Sequence, residues 1–318
     1  MKLWMWGGVI FIASSSIAYA TPSASIIARS GFDNTVTGFI NNIMSTSNDV
    51  QWFCLALLTV LSVLALISEW AHFAMNGLDV ERLIMCALFI IITTFLCTHF
   101  VEPMDVIWNS ADQMSLGFLE GVTGNRDPLY LTIWLNRSLE RIISKEPSIL
   151  LDGLYPILMS MLWNLATILL QIVIYLVGVW ATWGFLLSKL LGLIFIPCLA
   201  YGPTRPFFDA YVKFFLGFVI LLITLRVTGA LAALTINAQF QTLGLGCSTL
   251  IRCALTNAVS IDISSQSHMI VTCFICIFLV CSSFKISHKL AGSCGSASGG
   301  AMQGLGSLTK KALSKGLA

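Results

Sequence analysis

Two cations stand where an apolar chain has little use for them. Lys189 lies in "LLSKLLGLIFIP", and Arg226 sits between "FVILLITL" and "VTGALAAL". A charge at the centre of a bilayer costs about 2.5–3.5 kcal/mol on insertion scales, so such side chains face protein or water rather than lipid. Arg226, well inside its run, is expected to play a structural or passage-lining part. Lys189 has two options a few helical turns before Gly202. It can snorkel to the membrane surface, or it can face a subunit interface or a wet passage. Asp152 and Glu102, near the expected outer span ends, are possible partners for these cations. After Lys189 the chain reads "PCLAYGPTRPFFDAYVK". Pro197 removes a helical hydrogen bond and should bend or end the helix. Pro203 and Pro206 fix a turn in which Gly202 is free to take a positive φ. Arg205 and Lys213 then place positive charge beside that turn.

Catalytic chemistry has no such seat. The four histidines, His72, His99, His268 and His288, lie in loops or at span ends. None pairs with a serine inside an apolar segment, as an intramembrane hydrolase would require. No H-E-x-x-H zinc pattern occurs, and the glycine-rich tail "GGAMQGLGSLTKK" lacks the Gly-Lys-Ser/Thr step that cradles nucleotide phosphates. The sequence therefore suggests neither enzyme nor cofactor, and any energy would come from a partner. The cysteines divide by surroundings. Cys54, Cys86, Cys97, Cys198, Cys273, Cys276 and Cys281 lie in or beside apolar spans, where cysteine acts as a small hydrophobe. Cys247 and Cys253 share a polar loop expected in the periplasm, where a disulfide could form between them; the alternative is two free thiols.

The elements that must position these residues follow from composition. The chain is 57% hydrophobic and 10% charged, with a mean hydropathy of +0.88. A soluble domain is about a quarter charged, so this is a helical membrane protein. Residues 1–20 resemble a cleavable signal peptide: Lys2, an apolar core from Leu3 to Ile12, and Ala18-Tyr19-Ala20 before Thr21. Residues 21–51 form a periplasmic amphipathic segment, with Phe32, Val36, Phe39, Ile40, Ile43 and Met44 at helical spacing. Residues 52–100 hold transmembrane helices one and two, Trp52 to Ser68 and Leu83 to Phe100. Residues 101–152 carry most of the acids and read as a small helical periplasmic domain. Its apolar face comprises Leu131, Trp134, Leu135, Leu139, Ile142 and Ile143. Residues 153–234 hold a long bent membrane helix, a cytoplasmic turn and transmembrane helix four; two helices meeting near Gly178 or Gly184 is the alternative to the long one. A periplasmic loop spans 235–267, transmembrane helix five 268–284, and a flexible cytoplasmic tail 285–318.

Parity orients the chain. The tail holds five lysines and no acid, and such segments stay in the cytoplasm. A periplasmic N-terminus then requires an odd number of spans. The expectation is an all-α polytopic protein with about five transmembrane helices. No internal repeat is visible, which weighs against many inverted-repeat transporters. Gly229, Ala230, Ala232 and Ala233 would let helices approach closely, as membrane oligomers need.

The layout, together with "LSKLLGLIFIPCLAYGPTRPFFDAYVKFFLGFVI", resembles the TrbL-type polytopic inner-membrane subunit of bacterial type IV secretion and conjugation systems. The match rests on an apolar helix ending at Pro197, a short turn with Thr204-Arg205, and the aromatic pair Phe207-Phe208. The family often has a Trp after that pair; this chain has Tyr211. The resemblance implies an inner-membrane channel or scaffold component that helps move DNA or protein, or assemble a pilus, across the envelope. It implies other envelope subunits, pilus subunits and cytoplasmic ATPases as partners, and a ring of about five copies of closed symmetry. Membrane lipid and translocated DNA or protein complete the expected partners. The alternative from the residues alone is a small-solute transporter, which would show repeats, paired broken helices and polar clusters at mid-membrane.

Overall fold

The computed structural model describes residues 48–77, 79–127, 130–140, 142–144, 155–244 and 259–293, together with positions 35, 36, 38, 39 and 42. The signal peptide, most of the amphipathic segment, Asp152, Cys247, Cys253 and the tail beyond Ser293 lie outside the described residues. Among the described residues from Asn48 on, seven α-helices carry the fold: α1 Asn48–Asn76, α2 Val80–His99, α3 Val101–Thr123, α4 Tyr130–Glu140, α5 Tyr155–Phe195, α6 Arg205–Thr242 and α7 Ile263–Ser293. Two short 3-10 turns, Ile196–Leu199 and Gly202–Thr204, join α5 to α6. The one non-helical pairing among the described residues is parallel and three residues long, β1 Ile142–Ser144 against β2 Val259–Ile261. The apolar face expected to run as one helix to Ile143 therefore ends with α4, and Ile142 is buried from a strand instead.

Among the described residues five helical stretches are long and apolar enough to cross a membrane: Gln51–Met75, Val80–His99, Ile157–Leu199, Gly202–Thr242 and Ser264–Ser293. α1 and α2 form a hairpin. α1 ends where Gly77 takes φ 85°, a conformation cheap only for glycine. α2 starts where the Asp79 carboxylate accepts the Arg82 backbone N–H at 3.3 Å. The helix of α1 continues past its charge-free run because Glu69 finds Arg82 across the hairpin, 2.9 Å away. After α2 the helix is interrupted at Phe100. Pro103 has no N–H to return to the carbonyl of His99, so the ladder cannot run on unbroken.

α5 is one unbroken helix of 41 residues, passing through both Gly178 and Gly184. At about 1.5 Å per residue it is about 60 Å long, roughly twice a bilayer core. Its glycines serve packing. A Cβ at Gly184 would lie 2.0 Å from the Phe218 ring, and one at Gly192 would lie 2.7 Å from the Tyr211 hydroxyl and 2.9 Å from the Phe100 ring. These are places where α5 and its neighbours approach too closely for a side chain. The small residues of α6 are used in the same way, inside this chain. Ala230, Ala232 and Ala233 are buried, and Cys276 Sγ of α7 lies 3.7 Å from the Ala232 carbonyl oxygen. Ala232 and Ala233 close the α6–α7 seam, while Ala230 packs on Leu116 and Leu119 of α3. The main core joins α4 (Trp134, Leu135, Leu139), α5 (Trp163, Ala166, Leu170), α6 (Ile236, Phe240) and α7 (Met269, Cys273, Cys276).

Both helices of the acidic stretch pack on the membrane helices. α4 closes the end of this core, and α3 lies along α5 and α6. The α1–α2 hairpin packs at the other end, on the α5–α6 turn. Leu58 and Leu61, midway along α1, meet Ala200 and Tyr201; Met85 and Phe89 of α2 meet Leu199. The turn expected at a cytoplasmic surface is thus seated against the middle of the hairpin.

Candidate functional site

The site begins at the turn. Every helix leaves its last four carbonyls without a partner, and α5 ends inside an apolar surround where water is scarce. Pro197, just past the end of α5, stops the helix rather than bending it. The Thr204 hydroxyl lies 2.7 Å from the Cys198 carbonyl oxygen and 2.9 Å from that of Tyr201, and Arg205 Nε donates to the Leu199 carbonyl at 3.2 Å. The Arg205 guanidinium also lies 3.8 Å from the centroid of the Phe89 ring, where a cation meets the negative face of the aromatic. Thr204 and Arg205 therefore satisfy carbonyls of the turn that follows α5, and Arg205 fastens that turn to α2. Pro203 and Pro206 stand in the first turns of the helical pieces that follow, where a missing N–H costs nothing. Gly202 does not use a positive φ; Gly77, Gly124 and Gly244 are the described glycines that do. Lys213 stands on α6 beyond this turn and takes part in no ion pair among the described residues.

Lys189 and Arg226 are both answered by α3. Lys189 Nζ lies 2.5 Å from Asp105 Oδ1, with the lysine side chain 6% exposed and the aspartate 40%. Arg226 Nη2 lies 2.5 Å from Asp112 Oδ1, with side-chain exposures of 14% and 29%. Arg226 Nη1 also donates to the Asp112 carbonyl oxygen at 2.9 Å and to Ser115 Oγ at 2.6 Å. Three acceptors around one planar fork suit arginine, which a lysine could not match. Among the described residues the partners are Asp105 and Asp112; Glu102 is exposed on α3, and Asp152 lies outside the described residues.

The two pairs belong to one helix face. Asp105, Trp108, Asp112, Ser115 and Leu119 recur every three or four residues, so all point the same way from α3. Between the ion pairs, Trp108 stacks on Phe185 with ring centroids 4.2 Å apart and planes 8° from parallel. Lys189 lies one turn beyond Phe185, its Nζ 4.9 Å from that ring. At the near end, the Tyr211 hydroxyl donates to the Ser188 carbonyl oxygen at 3.1 Å and touches Met104 Sδ at 3.3 Å. At the far end, Leu116 and Leu119 pack on Ala230. Alternating charge, aromatic and aliphatic contacts thus hold α3 to the groove between α5 and α6. The Tyr211 hydroxyl is thus put to use in the contact between α6 and α5.

Sequence reasoning missed the two aspartates because the acidic stretch was treated as a region apart from the spans. Their spacing carried the signal: seven residues is two helical turns, and Trp108 lies on the same face. The arrangement offers positioning rather than bond chemistry. No group of three His, Cys, Asp or Glu side chains able to hold a metal occurs among the described residues. Cys273 and Cys276 are both buried in the main core, one turn apart on α7.

A search of curated proteins finds no match to the chain. A family model does match: residues 59–283 fit the model described as TrbL/VirB6 plasmid conjugal transfer protein. That range takes in the hairpin, α3, the turn and most of α7, and so contains the whole site. The chain belongs to the TrbL/VirB6 family of plasmid conjugal transfer proteins, and is a multi-pass inner-membrane component of conjugation and type IV secretion machinery.

Proposed function

We propose that the protein is a non-enzymatic channel or scaffold subunit of a type IV secretion machine, supporting DNA or protein transfer and pilus assembly across the envelope. The family match over residues 59–283 carries this reading. The site supports it, because its charges are spent on holding helices together. A transmembrane scaffold needs rigid placement of long helices, and α3 supplies this for α5 and α6. On this reading the N-terminus of α1 is periplasmic, the 77–79 hairpin is cytoplasmic, and the lysine-bearing tail stays in the cytoplasm.

The partners on this reading are other envelope subunits, pilus subunits and cytoplasmic secretion ATPases, with lipid around the helices. The protein assembles as a ring of about five copies, in line with the preference of membrane and soluble oligomers for closed symmetry. The apolar residues still exposed on α5, among them Leu158, Leu165, Ile172, Trp180 and Leu187, give lipid or a neighbouring subunit a long surface to cover. The test is genetic. An in-frame deletion is expected to abolish transfer from the donor cell, and the chain supplied in trans is expected to restore it. Undiminished transfer in the deletion strain would remove the proposal.

A further inference from the structure

α7 has two faces, and the site above uses neither its outer one nor the charges there. Inward stand Cys273, Cys276, Val280, Ser283 and Ser287, all buried. Outward, at steps of three, four or seven residues, stand His268, Val271, Ile275, Phe278, Lys285 and Lys289. That spacing keeps them on one stripe of the helix. All six are exposed, Phe278 to 73%. From His268 to Lys285 the helix rises about 25 Å, close to the thickness of a bilayer core. The polar ends of the stripe therefore match the two membrane surfaces, and its apolar middle matches the hydrocarbon.

Lys285 and Lys289 lie one turn apart and take part in no ion pair among the described residues. Their surroundings supply little negative charge. α5 and α7 contain no acid, and α6 contains only Asp209. Asp105 and Asp112 of α3 are already taken by Lys189 and Arg226. A third cation, Lys213, stands near the same end of α7. It lies one turn before Gly217 of α6, where a Cβ would meet Ala291 of α7 at 3.6 Å. The stripe thus combines a long apolar track with a pair of cations at one end.

We propose that this outward face of α7 binds an anionic phospholipid. Lys285 and Lys289 hold the headgroup phosphate, and an acyl chain lies along Phe278, Ile275 and Val271. Charge complementarity selects an anionic headgroup, and the lysine stems reach it while covering apolar surface. Side-chain size selects lipid over a second helix. Close packing of membrane helices uses small residues, and the small residues of α7 (Cys273, Cys276, Ser283, Ser287) are turned inward. The outward track is built from large ones. On the orientation proposed above, the headgroup belongs to the cytoplasmic leaflet; the binding itself does not depend on that orientation or on a role in secretion.

The experiment uses the full chain, purified in mild detergent and mixed with equal amounts of phosphatidylglycerol and phosphatidylcholine of the same acyl chains. Native mass spectrometry counts the retained lipids. Wild type is expected to retain phosphatidylglycerol about tenfold over phosphatidylcholine. The preference should fall to within about twofold in Lys285→Gln with Lys289→Gln, and persist in Lys285→Arg with Lys289→Arg. Equal retention of the two lipids by wild type, or an undiminished preference in the glutamine variant, would overturn the proposal. A second arm tests whether another copy covers the face instead. Phe278→Cys is placed in a Cys281→Ser background, and native membranes are treated with a short bismaleimide. No dimer beyond that of the Cys281→Ser parent is expected; efficient dimer formation through position 278 would overturn the lipid reading.

Discussion

Removing the Asp112 carboxylate should cost more than removing the arginine it neutralises. Arg226 is 14% exposed and Asp112 is 29% exposed. An Asp112→Leu variant leaves a guanidinium in the groove without its counterion, though Ser115 Oγ and a backbone carbonyl stay in reach. Breaking a buried pair from one side costs about 3–5 kcal/mol when the survivor has no water. Partial access here lowers the expectation to about 2–3 kcal/mol. Arg226→Leu leaves a carboxylate nearer the surface, and also removes the cost of placing an arginine in an apolar run. Its expected cost is about 1 kcal/mol. The double variant Asp112→Leu with Arg226→Leu buries no charge and keeps the packing, so it should fall within about 1 kcal/mol of wild type. The predicted coupling is therefore at least about 2 kcal/mol. Equilibrium unfolding of the purified protein in mixed micelles, followed by tryptophan fluorescence, measures all four corners of the cycle. Costs that add to within about 0.5 kcal/mol would refute the clasp, because that is how residues with no shared interaction behave.

Three further outcomes follow from the same geometry. Asp105→Asn should cost about 2 kcal/mol, because it leaves Lys189, whose side chain is 6% exposed, facing a neutral amide in place of its counterion; a cost below about 0.5 kcal/mol in the same unfolding assay would contradict this. Gly184→Ala should cost about 1–3 kcal/mol, since the new methyl meets the Phe218 ring at 2.0 Å, whereas Gly202→Ala should stay within about 0.5 kcal/mol in open space without a positive φ. Reversed ranking of the two glycines, read as midpoints of unfolding, would show that α5 and α6 do not approach as described. Thr204→Val keeps the shape but removes the hydroxyl from the Cys198 and Tyr201 carbonyls, so it should cost about 1–2 kcal/mol and make the turn cleave faster in limited proteolysis.

The spans were legible because membrane crossing is written in run length and charge, both local properties. Their ends were less so. α1 runs on past Ser68 because Glu69 is neutralised by Arg82 from the next helix, a fact no local window holds. Pro197 marked the end of α5, and of the two readings of 153–201 the one with a single long helix holds, the alternative break near Gly178 or Gly184 being absent from the continuous helix. The cations Lys189 and Arg226 stood out as charges in apolar runs. Their counterions did not, because Asp105 and Asp112 belong to a helix that looks solvated when read alone. The small residues of α6 promised close approach, and they provide it within the chain, Ala232 and Ala233 to α7 and Ala230 to α3. Asp112 differs from the solvated acids of its stretch only in what lies opposite, and that is a tertiary fact.

The most direct test of the functional account is purification of the protein from its native membrane in mild detergent, with the co-purifying proteins identified by mass spectrometry. A scaffold of a secretion machine should bring with it envelope secretion subunits and a secretion ATPase, in a particle much larger than one chain. A lone chain or small oligomer without secretion proteins, stabilised by a small solute, would contradict the account and favour a transporter.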